Sequence, residues 1–586
     1  LIVAMKKITV IAQGKDAAGT VGALRSLGVV HVEHVQPPAG REVSLIRDDL
    51  NLLDQALEVI SKAEFSTGCE GTLAYRDVTD WKKICQHIVN VWRRLDQLQE
   101  YSRALSLNIA EWEEWGDFDP QELRRLADRG VFIKLYKVPA KEMHGFPEGV
   151  ITEKLRAKGN TVFFAAISRS PFECPFKELE LPKMSITSMH KRLIEARRVI
   201  ESLTDDLRMR FCYRWRLLEV KKALENELKF QQALSGMGHS GGLAYLTGFA
   251  PADKEEALYS LAKKEGLGLV ISEPSEEDTV PTLMRNPPWV ELIRPVFRLL
   301  EVVPGYHELD ISLPFLLFLS LFFGMIIGDA GYGAVYLLLT FLAQRKFGKR
   351  IKDRSVFFLF YLFSFCAMMW GFLAGTFFGQ EWYLSAGFKA FAPILNDIKF
   401  LQAFCFFLGA SHLTLAHTWQ ALVKFPSLKV LSDLGWICIL WAAFFLAKVL
   451  ILGDVFPFFG KWLIYIGIGL VIFCSNPQKN IFKTVLSGLA TVALSLMNNF
   501  TDVVSYIRLF AVGLATVAIA DTVNTLAAGM GKNLALKLLI LSIGHTINII
   551  LGPMSVLVHG IRLNVLEFSG HAKVTWSGVA YNPLKE

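Results

Sequence analysis

Asp502-Val503-Val504-Ser505-Tyr506-Ile507-Arg508-Leu509-Phe510 lies inside an otherwise apolar run over residues 481–528. That run is about twice the ~20 residues an α-helix needs to cross ~30 Å of hydrocarbon. It predicts a membrane segment with strong tilt, or one lying partly along the interface. Arg508 stands far from any end to which its side chain could snorkel. An ionisable group there costs several kcal/mol and marks a functional candidate. A second long run, 533–566, carries His545, His559 and Arg562, with Glu567 at its end. With a turn near Gly531, Arg508 lies 23 residues before it and Arg562 31 after it. The stagger is ~12 Å at ~1.5 Å per residue, which tilt can level.

Working outward, shorter apolar runs occupy 311–328, 330–344, 355–378, 399–423, 433–452 and 459–474, making eight expected spans. Arg345, Lys346, Lys349, Arg350, Lys352 and Arg354 follow the second run, Lys424 and Lys429 the fourth, and Lys479 and Lys483 the sixth. The positive-inside bias places those loops, the N-terminal half and the C-terminus in the cytoplasm. Lys532 and Lys537 fall on the outer side, against the rule.

Composition separates the halves. The 586 residues are 52% hydrophobic and 20% charged, with a net charge of +7. Residues 301–586 hold 20 Lys+Arg and 13 Asp+Glu, which leaves 42 of each in residues 1–300 from totals of 62 and 55. The first half is therefore 28% charged and neutral; the second is under 12% charged and carries the whole net charge. A nucleic-acid binder is disfavoured, because the soluble half has no net basic field.

In the first half, Met5-Lys6-Lys7-Ile8-Thr9-Val10 reads as a first strand with no secretory signal ahead of it, and residues 1–4 stand apart from it. Further β-rich segments fall at 29–35, 131–138, 161–167, 243–250 and 267–271. Between them run heptad patterns: Ile46, Leu50, Leu53, Leu57, Ile60; then Trp81, Ile84, Ile88, Val91, Leu95, Leu98; then Ile186, Met189, Leu193, Ala196, Ile200, Leu203, Leu207. Sustained 3-4 spacing predicts a coiled-coil seam, with a plain helical bundle as the alternative. The expected fold is an α+β cytoplasmic domain, 1–300, whose two small lobes are joined by a long antiparallel coiled coil. An all-α eight-helix transmembrane domain with two long tilted final helices, 301–586, follows. Eight scattered cysteines (Cys69, Cys85, Cys174, Cys212, Cys366, Cys405, Cys438, Cys474) show no paired spacing, so neither a metal site nor a disulfide framework is expected. No G-x-x-x-x-G-K-[ST] occurs, so nucleotide hydrolysis by this chain, and any cofactor, are not expected.

The guanidinium of Arg508 stays charged and cannot relay a proton by releasing one. A fixed cation in mid-membrane favours the ionised form of a carboxylate beside it and blocks protons from running straight through. The plain alternative is a structural pair with Asp502 or Glu567; for Arg562 it is snorkelling. Asn498, Asp502, Ser505, Thr516, Asp521, His545, Asn548, His559 and Glu567 are candidate lining for aqueous access, although each alone is equally explained by an interhelical hydrogen bond. His412, His417 and Asp329 read as packing, turn or helix-end residues.

Four stretches resemble one family. Pro281-Thr282-Leu283-Met284-Arg285-Asn286 with Val303-Pro304-Gly305-Tyr306-His307-Glu308-Leu309-Asp310 is similar to its junction into the membrane. Phe322-Phe323-Gly324-Met325-Ile326-Ile327-Gly328-Asp329-Ala330-Gly331-Tyr332-Gly333 is similar to its first hairpin. Ser505-Tyr506-Ile507-Arg508-Leu509-Phe510-Ala511-Val512-Gly513-Leu514-Ala515 is the most diagnostic. Gly544-His545, Asn548 and His559-Gly560-Ile561-Arg562-Leu563-Asn564-Val565-Leu566-Glu567-Phe568 complete the set. The chain resembles the membrane stator subunit of rotary V-type and A-type ATPases, called subunit a or subunit I.

The resemblance implies a non-catalytic subunit providing two ion half-channels against a rotating proteolipid ring, with Arg508 facing the ring and Arg562 its companion. It implies peripheral stalk subunits of the E and G type, a central stalk and ATPase headpiece, membrane lipid and no nucleic acid as partners. Leu494 and Thr516 stand where eukaryotic members carry glutamate and histidine, while Asn498 matches. The family's Asp-Pro-Thr is Asp310-Ile311-Ser312 here, and its lysine-rich aromatic C-terminal pattern is degraded in Ser569-Gly570-His571-Ala572-Lys573. The prokaryotic branch, in the plasma membrane, fits best. The residues alone also leave open a secondary ion transporter or channel with a cytoplasmic regulatory domain, or a scaffold.

Overall fold

The computed structural model describes residues 2–62, 80–139, 149–159, 161–174, 176–349, 351, 353–380, 391–478 and 480–585. Cys69, Arg350, Lys352 and Lys479, singled out above, lie outside the described residues. The first half begins with β1 (Met5–Gln13), α1 (Ala17–Leu27), β2 (His31–Glu33), α2 (Arg41–Ile60), α3 (Trp81–Trp112) and α4 (Pro120–Asp128). Next come β3 (Phe132–Pro139), β4 (Ile151–Lys158), β5 (Thr161–Ser168), α5 (Ile186–Arg210) and α6 (Arg214–Ser235). It closes with β6 (Gly238–Ser240), β7 (Leu243–Pro251), α7 (Glu255–Glu265), β8 (Gly268–Ser272), β9 (Pro281–Thr282) and α8 (Arg294–Leu300).

One compact unit comprises residues 11–28, 34–246 and 584–586. Its long helices pack in pairs: α3 on α2 and on α5, and α6 on α2. None of the heptad residues named above is exposed. Leu53, Leu57, Ile60, Ile88, Val91, Leu95 and Leu207 share one buried cluster, while Leu105, Ile109, Met189 and Leu193 form another. Spacing of 3 and 4 holds these side chains on one stripe of each helix, which is why they meet.

β3, β5 and β4 form an antiparallel sheet in that order. Alternation along β5 sends Phe163 and Ala165 to a cluster with Trp112 and Trp115, and Phe164 and Ala166 to one with Tyr136 and Val138. Asp119 caps α4, with Pro120 in its first turn, and Ser185 caps α5. Cys212, in the turn between α5 and α6, is disulfide-bonded, although the sequence shows no disulfide framework. Only folding brings sulfurs within bridging distance, and the scattered spacing carries no such signal.

The other unit comprises residues 1–10, 29–33 and 247–583. Its strands follow the order β2-β7-β1-β8, and Lys7 Nζ meets Asp278 Oδ1 at 2.6 Å beside them. The apolar helices are α9 (Ser312–Ile327), α10 (Ala330–Phe347), α11 (Ser355–Ala374), α12 (Ile398–Lys424), α13 (Lys429–Ala447) and α14 (Phe458–Cys474). α15 (Ile481–Ser505), α16 (Ile507–Gly529) and α17 (Leu534–Ser555) follow, and the last continues through π-helical turns to His571.

Each of the eight apolar runs is thus helical. Among the described residues, five segments are long and apolar enough to cross a membrane: α11, α12, Lys429–Leu452, Ile481–Gly529 and Leu534–His571. α9 and α10 pass together as a pair bent by 120°, and α14 is a shorter apolar helix. Gly328, at φ +64°, ends α9 in the left-handed conformation that lets the chain fold back, and Asp329 caps α10 by accepting from Tyr332 N at 3.0 Å. α16 crosses α9 at Gly513, where a Cβ would lie 2.5 Å from the Met325 carbonyl oxygen. Such close approach is how helices associate in lipid, where no hydrophobic drive exists between them.

After His571 the chain returns to the strands. β10 (Val579–Ala580) pairs in parallel with β9, Thr575 N donates to Glu308 at 2.8 Å, and Tyr581 OH donates to the Val29 carbonyl.

Gly513→Val is expected to force α16 away from α9 and abolish recovery of the folded chain in detergent; wild-type yield and melting would show that the contact is not needed. The hydrogen bond from Lys7 holds the Asp278 carboxyl at about 2. A carboxyl depressed from its ordinary value near ~3.9 contributes stability above that value and loses it as the pH falls through its folded value. Asp278→Asn should therefore melt lower than wild type at pH ~7, and the difference should close by pH ~2.

Candidate functional site

α15 and α16 are one apolar segment interrupted at Tyr506. At the interruption Leu509 N donates to the Tyr506 carbonyl at 3.0 Å, which leaves the Ser505 carbonyl to another donor. Arg508 is that donor: its Nε reaches Ser505 O at 3.0 Å, and its Nη2 reaches Glu567 Oε1 at 2.6 Å. Glu567 comes from the far end of the last segment, and its side chain is 5% exposed against 24% for Arg508. Arg562 Nε approaches the same carboxylate oxygen at 3.7 Å. Both mid-segment arginines therefore share one buried counter-charge.

The π turns make this sharing possible. In a regular α-helix a step of five residues lands about 140° round the axis. The wider π turn Leu563–Phe568, with its i→i+5 bonding, brings Glu567 back under Arg562. Tyr506, fully buried, shares a 2.8 Å hydrogen bond with His412 Nδ1. His412 is stacked between Phe318 and Phe568, at 3.7 and 4.2 Å between ring centroids. That stack fixes the break in the helix and with it the origin of the Arg508 side chain.

A second polar cluster gathers on Tyr332. Its hydroxyl lies 2.7 Å from His545 Nδ1 and accepts from Asn548 Nδ2 at 3.0 Å. Asn548 also donates to the Thr516 carbonyl at 2.9 Å, and His545 Nε2 lies 3.2 Å from Asn524 Oδ1. Thr516 returns its own hydroxyl to the Val512 carbonyl. A third cluster joins Asp502 to His571 Nε2 at 3.1 Å, and His571 Nδ1 to His417 Nε2 at 2.9 Å.

The structure thus brings Arg508, Arg562 and Glu567 together, and His545 with Asn548 and Thr516. Ser505 bonds its own turn, donating to the Asp502 carbonyl at 2.7 Å. Asn498 and Asp521 are exposed, and His559 is half-buried. Tyr332, Tyr506 and His571 join these clusters without having been singled out in the sequence, and His417, read there as packing, meets His571. His412 and Asp329 do serve as packing and helix-end residues. The signal for Tyr332 was present in Gly331-Tyr332-Gly333, where a phenol sits between residues that add no bulk.

No family model matches the chain. Two spirochaete proteins do, across the full length of both partners: V-type ATP synthase subunit I of Borreliella burgdorferi at 29% identity and V-type ATP synthase subunit I 1 of Treponema pallidum at 31%. The chain belongs to the V-type and A-type ATP synthase subunit I family. An archaeal relative, A-type ATP synthase subunit I of Methanocaldococcus jannaschii, is 24% identical over 77% of this chain and 69% of its own. The crystallised cytoplasmic N-terminal domain of subunit I, homolog of subunit a, of V-ATPase covers 45% of this chain and 99% of its own at 15% identity. Its TM-score of 0.22 is too low to bear on the fold.

In this member of the family, Glu567→Ala should strand Arg508 without a counter-charge and destabilise the detergent-solubilised chain by about 3–5 kcal/mol. Adding Arg508→Ala should recover part of that loss. Strictly additive losses across the double-mutant cycle would show that the pair is uncoupled.

Proposed function

We propose that this chain is the membrane stator subunit of a rotary V/A-type ATPase. It provides two ion half-channels against a rotating proteolipid ring and so couples H⁺ or Na⁺ translocation to ATP hydrolysis or synthesis. The observation that carries the reading is the convergence of Arg508 and Arg562 on the buried Glu567 oxygen. Glu567 holds the cation in place between encounters, and a rotor carboxylate brought beside Arg508 competes with it for the guanidinium. The rotor group is then ionised beside Arg508 and must reload from the other half-channel. Because the guanidinium never releases its proton, it also bars a direct leak between the two channels.

The surface around the arginine suits close rotation. Arg562 stands 56% exposed in a stripe with Leu551, Met554, Val558 and Leu566, all exposed. Beside Arg508 the exposed residues Ala511 and Ala515 are small, which lets another helix approach. The Tyr332–His545–Asn548 cluster lines the outer half-channel, together with Thr516 and Asp521. Asn498, Asp502, Ser505 and His559 line the inner one.

In this reading all eight apolar runs cross the membrane. α14, at 17 residues, spans about 26 Å at ~1.5 Å per residue, close to the hydrocarbon thickness. Residues 1–300 form the cytoplasmic arm, two lobes joined by an antiparallel coiled coil that transmits torque to peripheral stalks of the E and G type. Residues 301–586 form the ion-translocation domain, with the C-terminus on the cytoplasmic side. The complex resides in the prokaryotic plasma membrane and includes a central stalk and an ATPase headpiece.

Arg508→Ala and Arg508→Lys complexes should assemble yet show no ATP-driven ion uptake when reconstituted into sealed vesicles. Undiminished uptake by either variant would rule out the half-channel assignment.

A further inference from the structure

On the Lys424 side of the arginine site, four titratable side chains from four different helical segments stand in a row. Asp433 of α13 meets His417 of α12, with Oδ1 and Nδ1 3.6 Å apart. His417 Nε2 lies 2.9 Å from His571 Nδ1, and His571 Nε2 lies 3.1 Å from Asp502 Oδ2. Asp433, His417 and His571 are enclosed, at 5%, 8% and 7% exposure, and Asp502 opens to 29%. Lys424, 22% exposed, meets Asp433 Oδ2 at 2.5 Å at the far end, and Lys573 of the tail lies near the same pair. Gln420 Nε2 donates to the Ala572 carbonyl at 2.5 Å and so fixes His571 against α12. The row thus begins at a basic end and finishes six residues from Arg508.

Packing alone does not account for these groups. His412, on the same helix as His417, shows what a packed histidine looks like here: stacked between two rings and bonded to one phenol. His417 and His571 instead each present one ring nitrogen to the other and the second nitrogen to a carboxylate. An imidazole placed in that way can take a proton at one nitrogen and release one at the other.

We propose that Asp433, His417, His571 and Asp502 form a proton wire in the inner half-channel, and that the ion carried by this chain is H⁺. The proposal rests on the half-channel reading above and names the ion and the route. In passage toward the rotor, His571 gives its Nε2 proton to the Asp502 carboxylate and takes one at Nδ1 from His417 Nε2. His417 takes one at its Nδ1 from a protonated Asp433 carboxyl. Each N–H or O–H bond broken is matched by one formed. One proton enters at Asp433 from water on the Lys424 side, and one arrives at Asp502. Both rings finish in the opposite tautomer and turn over before the next passage. The 3.6 Å step closes through one bridging water or a small rotation. Lys424 supplies the counter-charge of Asp433 between passages. A hard cation such as Na⁺ takes oxygen ligands, and the two central groups of this row are imidazoles.

The test uses the assembled complex in sealed vesicles, with ATP-driven acidification read by a pH-sensitive dye, for His417→Gln, His571→Gln, His571→Ala and Arg508→Ala. Both Gln variants keep a hydrogen-bonding side chain that cannot shuttle a proton. They should assemble and lose acidification by roughly a hundredfold. Added imidazole should restore part of the His571→Ala rate and none of the Arg508→Ala rate, which a purely structural role would not produce. Undiminished acidification in both Gln variants overturns the wire, as does wild-type uptake that follows Na⁺ and ignores a protonophore. In either case an inactive Arg508→Ala leaves the half-channel reading standing, whereas an active Arg508→Ala sinks that reading itself.

Discussion

A guanidinium that cannot lose its charge, held inside an apolar segment, has to be given an anion. The 2.6 Å contact between Arg508 and Glu567 meets that demand, and much of the surrounding architecture serves it. The helix breaks at Tyr506, so that a backbone carbonyl is available to Nε. The last segment widens into π turns, so that one carboxylate faces both arginines. The stack of Phe318, His412 and Phe568 locks the break in position. Ion pairs out of water are expensive unless their geometry is good and their remaining groups are satisfied. Here the pair is 24% exposed at the guanidinium and 5% at the carboxylate, so the anion is enclosed while the cation stays partly open.

Helix packing around the site follows from the same solvent. Lipid offers apolar side chains nothing they lack in protein, so association depends on close backbone approach and on hydrogen bonds between helices. Gly513 against Met325 supplies the first, and Tyr332 with His545 and Asn548 the second. The chain's end contributes as well. By pairing β10 with β9 and placing Tyr581 on the Val29 carbonyl, it ties the last membrane segment to strands near the start of the sequence. The end of that segment, Glu567 to His571, is therefore anchored on both sides.

Much of this was legible in the sequence, for identifiable reasons. Heptad spacing announced which helix faces would be buried, because periodicity is a local property. Arg508 and Arg562 stood out because a charge inside an apolar run is conspicuous without any knowledge of its neighbours. His571 did not stand out, and His417 read as packing. One lies just past an apolar run and the other shares its helix with the packed His412, so neither betrays that the two rings meet. Cys212 was silent for the same reason.

What the sequence determined alone was the solvent of each half, the helical character of the eight apolar runs and the identity of the charged residues that the membrane must accommodate. Each depends on residue type and spacing, which short-range sterics and transfer free energy translate directly into structure. The tertiary structure decided the partners: that Arg508 and Arg562 share Glu567, that Asp502 turns to His571, and that the tail closes on β9. Those choices depend on where helices far apart in the chain cross, and that is fixed by the packing of whole surfaces, which no local window of residues contains.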